Sequence, residues 1–133
     1  MTTTASNTGL LLFAHGARDP QWARPFEAVA ARCRAQRGDA RVALAFLEFM
    51  APDLVAGGNA LVAAGCTAVD VVPLFLGAGG HVRKDLPVLM AQLQSQHPGI
   101  QWILAPAVGE TDIMVQALAD AAAHLAGLSA TTP

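Results

Sequence analysis

The sequence predicts an α/β fold: a single three-layer domain in which a four-stranded parallel sheet is flanked by helices. Three observations predict it. Short apolar runs alternate with segments of helical periodicity in the order β-α-β-α-β-α-β-α, and parallel neighbours need a crossover, which a helix supplies. The length, 133 residues, is that of one domain. Hydrophobic residues make up 53% and charged residues 14%, against a usual ~25% charged, which excludes disorder and provides for a sheet buried on both faces.

The elements follow in order. Residues 1–9 are polar and rich in Thr and Ser, and read as a tail before a domain over 10–127, with a second tail over 128–133. Leu10-Leu11-Leu12-Phe13-Ala14 is a continuous apolar run stopped by His15-Gly16, as expected for a strand covered on both sides. Phe26, Val29, Ala30 and Cys33 recur at helical spacing. Upstream, Asp19-Pro20 reads as a cap with Pro at the first helical position, yet Pro25 would break a helix already running. Either Asp19-Pro20 opens an isolated turn, or the helix starts near Pro25.

Arg41 to Leu47 is the second strand candidate. Leu54, Leu61 and Val62 mark a weaker helix, because Gly57 and Gly58 each cost about 1 kcal/mol relative to Ala; the pair suits close packing. Thr67 to Leu76 holds the third strand. Leu86, Leu89, Met90 and Leu93 mark a helix whose start is signalled by Asp85 and Pro87. Ile100 to Leu104 is the fourth strand, after a Pro98-Gly99 turn. Ile113, Met114, Ala117, Leu118, Ala121 and Leu125 give the clearest helical pattern of all. With right-handed crossovers the layer is flavodoxin-like, and function gathers outside the carboxyl ends of its strands.

Several classes are excluded. A formal net charge of -2 argues against a nucleic-acid module. No run reads as a membrane span, and no basic residue precedes the first apolar run as a secretory leader would need. Cys33 and Cys66 stand far apart without a CxxC motif, which fits two buried free thiols in a reducing cytoplasm. There is no GxGxxG, no GxxxxGK[ST] and no GxSxG. A histidine phosphatase would carry an arginine where Ala14 stands.

The unusual polar residues fall in one place. His15 follows the first strand, Glu48 the second, and His81 lies a few residues past the third. In a parallel sheet these ends share one edge, with neighbouring strands about 4.8 Å apart. Two imidazoles and a carboxylate suit a divalent first-row metal, and an imidazole also accepts protons near neutral pH. Each has a plainer reading. A histidine after a strand can simply hold a turn, and a carboxylate in FLEFM can form a structural ion pair. Gly79 and Gly80 allow close approach of a flat ligand, or merely a turn. Arg18, Arg83 and Lys84 flank the histidines and suit substrate carboxylates, or are ordinary surface charge. His97 and His124 read as solvated or helix-terminal.

At these residues the chain resembles a known family. His15-Gly16-Ala17-Arg18-Asp19-Pro20 looks like the HGSRDP opening of the sirohydrochlorin chelatases. Phe46 to Pro52 resembles their FLE…P segment, and the long run from Val72 to Pro87 is similar to their PLFL.aGgHv..DiP block. Ala105-Pro106-Ala107-Val108-Gly109 resembles their closing apPlG. Ala17 replaces the usual Ser, and APAVG replaces APPLG. The likeness spans about Leu10 to Leu125.

The resemblance implies insertion of Co²⁺, or Fe²⁺ or Ni²⁺, into sirohydrochlorin on routes to cobalamin or sirohaem. It implies that His15 and His81 bind the metal and assist deprotonation, helped by Glu48. No cofactor beyond the metal substrate is expected. The family's short forms imply a homodimer. A non-catalytic metal or tetrapyrrole carrier of the same fold is the alternative.

Overall fold

The computed structural model describes residues 7–77 and 79–131. The tail expected over 1–9 falls mostly outside that set, but Thr8 and Gly9 belong to the first strand, where they pair with Ala68 and Val69. Four strands, β1 (Thr8–Ala14), β2 (Val42–Phe46), β3 (Ala68–Pro73) and β4 (Gln101–Leu104), form one parallel sheet in the order β2-β1-β3-β4. Between and after them run α1 (Ala23–Arg37), α2 (Leu54–Ala63), α3 (Gly80–Gln96) and α4 (Asp112–Thr131). The predicted fold class is the observed one. The final helix continues past residue 127 to Thr131.

β1 is central because it is apolar on both faces: Leu11, Leu12, Phe13 and Ala14 are all buried. Successive side chains alternate between faces. Leu11, Phe13, Ala45, Val69 and Val71 meet α2 and α3 in the larger core, whereas Leu12 and Val42 meet Ala30 and Cys33 of α1 in a smaller one. Cys66 is buried, Cys33 is half-buried, and both are free.

The Gly57-Gly58 pair is where α2 touches the sheet. A Cβ on Gly57 would lie 2.9 Å from Leu11 Cδ1, and one on Gly58 would lie 2.6 Å from Leu93 Cδ2. Glycine's low helix propensity is offset by this close approach. The Asp53 carboxylate accepts the Ala56 N–H at 2.9 Å and caps the helix start.

The two readings of residues 19–25 resolve into both at once. Asp19 accepts the Gln21 N–H at 2.9 Å and opens an isolated 3-10 turn over Pro20–Trp22. α1 then begins at Ala23, so Pro25 falls in the first turn, where its missing N–H costs nothing.

A further boundary departs from the sequence reading. Asp85 and Pro87 do not start α3. The helix starts at Gly80 and carries Pro87 in its interior. The Arg83 N–H already bonds the Gly79 carbonyl at 3.0 Å, and Val82, Leu86 and Leu93 bury one continuous face. That burial outweighs the hydrogen bond Pro87 withdraws. As a consequence His81 sits in the first turn of a helix, not in a loop ahead of one.

Candidate functional site

With strand order β2-β1-β3-β4, the chain leaves β1 toward β2 on one side and leaves β3 toward β4 on the other. The loops after β1 and β3 therefore diverge and leave a crevice between them. A cleft of about 520 Å³ opens there. His15, Trp22 and Phe26 form one wall, and Leu74 to Gly77 with Met114 of α4 form the other. The walls are mainly apolar, as those of small-molecule clefts generally are.

His15 is the first residue beyond β1. Its ring lies against Phe75, centroids 4.4 Å apart at 38°. Phe75 is in turn buried against Phe13, centroids 5.7 Å apart. The His15 carbonyl accepts the Trp22 indole N–H at 2.7 Å. Backbone and ring are both held, while the residue stays exposed to the cleft.

Glu48 is brought beside His15 by backbone contact. The Leu47 N–H donates to the Ala14 carbonyl at 2.8 Å, and the Met50 N–H donates to the Glu48 carbonyl at 2.8 Å. A Cβ on Gly16 would lie 1.6 Å from the Glu48 oxygen, so only glycine lets the two loops meet. Glu48 itself is exposed. Next to it, Phe49 adopts φ 67° and is 59% exposed, an uncommon conformation for a bulky residue. The Arg18 guanidinium carbon lies 5.0 Å from the Phe49 ring centroid, within cation–π range. Arg18 thus ties the first loop to the second.

On the far side, Gly79 caps α3 in an extended conformation and Gly80 opens it. A Cβ at Gly77, Gly79 or Gly80 would meet nothing within 4 Å, so these glycines leave space open. Arg83 and Lys84 are exposed in the first turns of α3, which contain no acidic residue in the opening turn. The backbone places His81 second in α3, at the carboxyl end of β3; its side chain lies outside the described set. Among the described residues, no three His, Cys, Asp or Glu side chains form a metal-sized group.

The other two histidines sit elsewhere. His97 caps the far end of α3, with Nε2 2.6 Å from Asn59 Oδ1 and its ring 6.0 Å from Trp102. His124 is exposed on α4. Sequence reasoning missed Gly16, Trp22, Phe49, Phe75 and Met114. The His-Gly dipeptide held a signal for the first; for the aromatics and Met114 only the fold supplies it.

A four-stranded parallel α/β layer with a histidine seated at its switch point and a glycine-capped helix opposite has the chelatase fold. The chain belongs to the CbiX family, whose model matches residues 9–125. Among solved structures, a CbiX protein from Marinobacter aquaeolei VT8 superposes with a TM-score of 0.78 at 31% identity, covering 90% of this chain and 98% of that one. The sirohydrochlorin chelatase SirB from Bacillus subtilis, solved in complex with cobalt, gives 0.74 at 28% identity, covering 84% of this chain and 47% of that one. By sequence, the sirohydrochlorin ferrochelatase of Bacillus subtilis is 27% identical over 109 residues, 82% of this chain and 42% of that protein. A sirohydrochlorin cobaltochelatase of Saccharolobus islandicus is 31% identical over 107 residues, 76% of this chain and 82% of that protein. The chain spans less than half the length of the Bacillus ferrochelatase. No helix among the described residues is long and apolar enough to cross a membrane.

Proposed function

We propose that this chain inserts a divalent metal, Co²⁺ first and Fe²⁺ or Ni²⁺ as alternatives, into a sirohydrochlorin-type tetrapyrrole in the cytoplasm, working as a homodimer. The observation that carries the reading is His15: its ring is propped on Phe75 at the mouth of an apolar cleft. The relatives named as sirohydrochlorin chelatases support the same substrate.

Metal insertion exchanges two pyrrole N–H protons for one M²⁺. In this scheme the flat ring lies in the cleft, and its carboxylates meet Arg18, Arg83 and Lys84. Gly79 and Gly80 let the ring approach α3 closely. His15 and His81 hold the incoming metal beside the ring face. As the metal–nitrogen bonds form, one proton passes to an imidazole and the other to the second imidazole or to Glu48. General-base help of this kind contributes about 10²–10⁴-fold. No nucleotide is required, because formation of the metal complex drives the exchange.

The test is a spectrophotometric insertion assay with Co²⁺, Fe²⁺ and Ni²⁺ on wild type, His15→Ala and His81→Ala. Turnover by wild type with loss in both variants is expected. Wild-type rates in both variants would overturn the scheme, and stoichiometric binding without turnover would make the protein a carrier.

A further inference from the structure

Among the described residues, Phe49 is the one non-glycine residue with a positive φ, 67°. The Met50 N–H donates to the Glu48 carbonyl at 2.8 Å, so the three residues form a γ-turn with Phe49 at its centre. At positive φ this is the rare and strained form of that turn. A bulky side chain fits it poorly, whereas glycine or asparagine would enter it readily. The ring gives nothing back to the core. It is 59% exposed and belongs to neither apolar cluster. Strain of this kind persists only where the surroundings hold it, and it gathers at binding sites.

The surroundings here are the loop after β1. The Leu47 N–H donates to the Ala14 carbonyl and the Phe46 N–H to the Pro52 carbonyl, each at 2.8 Å. The Glu48 carbonyl is pressed onto Gly16, where a Cβ would collide with its oxygen. The two loops therefore run side by side. Gly16 meets Glu48, and two residues on, the Arg18 guanidinium lies over the Phe49 ring, its carbon 5.0 Å from the centroid. The pair stands beside the cleft rather than among its lining residues.

Arg18 keeps its hydrogen-bonding capacity. It is exposed, and among the described residues no carboxylate pairs with it. The adjacent Asp19 directs its carboxylate to the Gln21 N–H at 2.9 Å. A guanidinium over an aromatic face is held through its charge, while its N–H donors point outward in its own plane. The contact with Phe49 thus fixes the arm and leaves its fork unused. A carboxylate takes that fork with two parallel hydrogen bonds. A long side chain ordered in advance also avoids the ordering cost that binding would otherwise carry.

We propose, on the tetrapyrrole reading of the cleft, that Phe49 is a positioning residue for Arg18: its ring, held in the strained turn, sets the guanidinium to receive a carboxylate at the rim of the ligand. The working part is the aromatic face, not the bulk of the side chain. This role accounts for a residue that is exposed, strained and idle in the core.

Absorbance titration of the full chain with uroporphyrin, a tetrapyrrole rimmed with carboxylates, tests it. A porphyrin rimmed with cationic N-methylpyridinium groups is the comparison ligand. Phe49→Leu keeps the bulk and removes the aromatic face. It is expected to weaken uroporphyrin binding about two- to tenfold and to leave binding of the cationic porphyrin unchanged. Phe49→Tyr is expected to retain wild-type affinity. Phe49→Gly is expected to bind uroporphyrin as weakly as Phe49→Leu while melting no lower than wild type, because the turn accepts glycine. In an Arg18→Gln background, Phe49→Leu should have no further effect. Equal uroporphyrin affinity in wild type, Phe49→Leu and Phe49→Gly would overturn the proposal, as would a Phe49→Leu loss that persists in the Arg18→Gln background. A wild type that binds no uroporphyrin would overturn the tetrapyrrole reading itself, and the role of Phe49 with it.

Discussion

His15 and His97 stand at opposite ends of the same sheet and are held in different ways. His97 caps α3 and has a protein partner for a ring nitrogen, Asn59 Oδ1 at 2.6 Å. His15 is held as firmly, but by its face and its backbone: Phe75 supports the ring and Trp22 holds the carbonyl. No hydrogen bond from a described residue reaches its ring nitrogens. Both rings are fixed in place. Only His97 has a described protein partner at a ring nitrogen, and His15 stands where the loops diverge.

The largest expected effect breaks that contrast directly. His15→Ala should lower metal insertion by about 10²–10⁴-fold with little change in melting temperature, since the ring buries no core surface of its own. His97→Ala should do the reverse: an unchanged insertion rate, and a loss of about 0.5–1.5 kcal/mol in a urea titration. Equal activity losses in the two variants would remove the distinction.

Gly16→Ala sharpens it. The new Cβ would meet the Glu48 carbonyl carried on the adjoining loop, so His15 and Glu48 must separate. Overpacking of this sort costs about 1–3 kcal/mol, and a 1 Å displacement of a catalytic group costs on the order of 10²-fold in rate. Gly99→Ala, in the turn at the His97 end, would meet nothing within 4 Å. It should leave both rate and stability within about 0.5 kcal/mol of wild type. The pair of variants is read by insertion rate and thermal melt together.

The contrast between these two ends also explains what the sequence could disclose. The strands were legible because they are short, mainly apolar runs, and once they are parallel, the placing of His15 and Glu48 on one edge follows from geometry alone. The separate role of His97 was legible from its Pro98-Gly99 turn. The start of α3 was not, because Asp85 and Pro87 are local signals and the burial of Val82 and Leu86 is a tertiary one. Gly16 and Phe75 were not legible as parts of the site, since each acts through a residue more than 30 positions away in the chain. α4 was legible as a helix from its periodicity, but periodicity says only that a face is apolar, not which sheet it covers.

A smaller effect belongs to the His97 end, where Cys66 precedes β3. Its thiol is buried, and burial pushes its pKa up from the ordinary value by disfavouring the thiolate; the charges of Arg41 and Arg37 oppose this more weakly. A Cβ on Gly9 would lie 2.8 Å from its sulfur, so no room is left for a hydrated anion. The folded state therefore keeps its proton at a pH where the unfolded chain has released it. Folded protein then binds more protons than unfolded, and stability falls as pH rises through and above the ordinary thiol range, while below that range Cys66 contributes no slope. Urea midpoints taken from neutral to alkaline pH should decline more steeply for wild type than for Cys66→Ala. The native protein should also protect Cys66 from alkylation at neutral pH, whereas the insertion rate, which the proposed function ties to His15 at the opposite end of the sheet, should be the same in Cys66→Ala as in wild type. A Cys66→Ala variant with the wild-type pH slope would show that this thiol is not the group responsible.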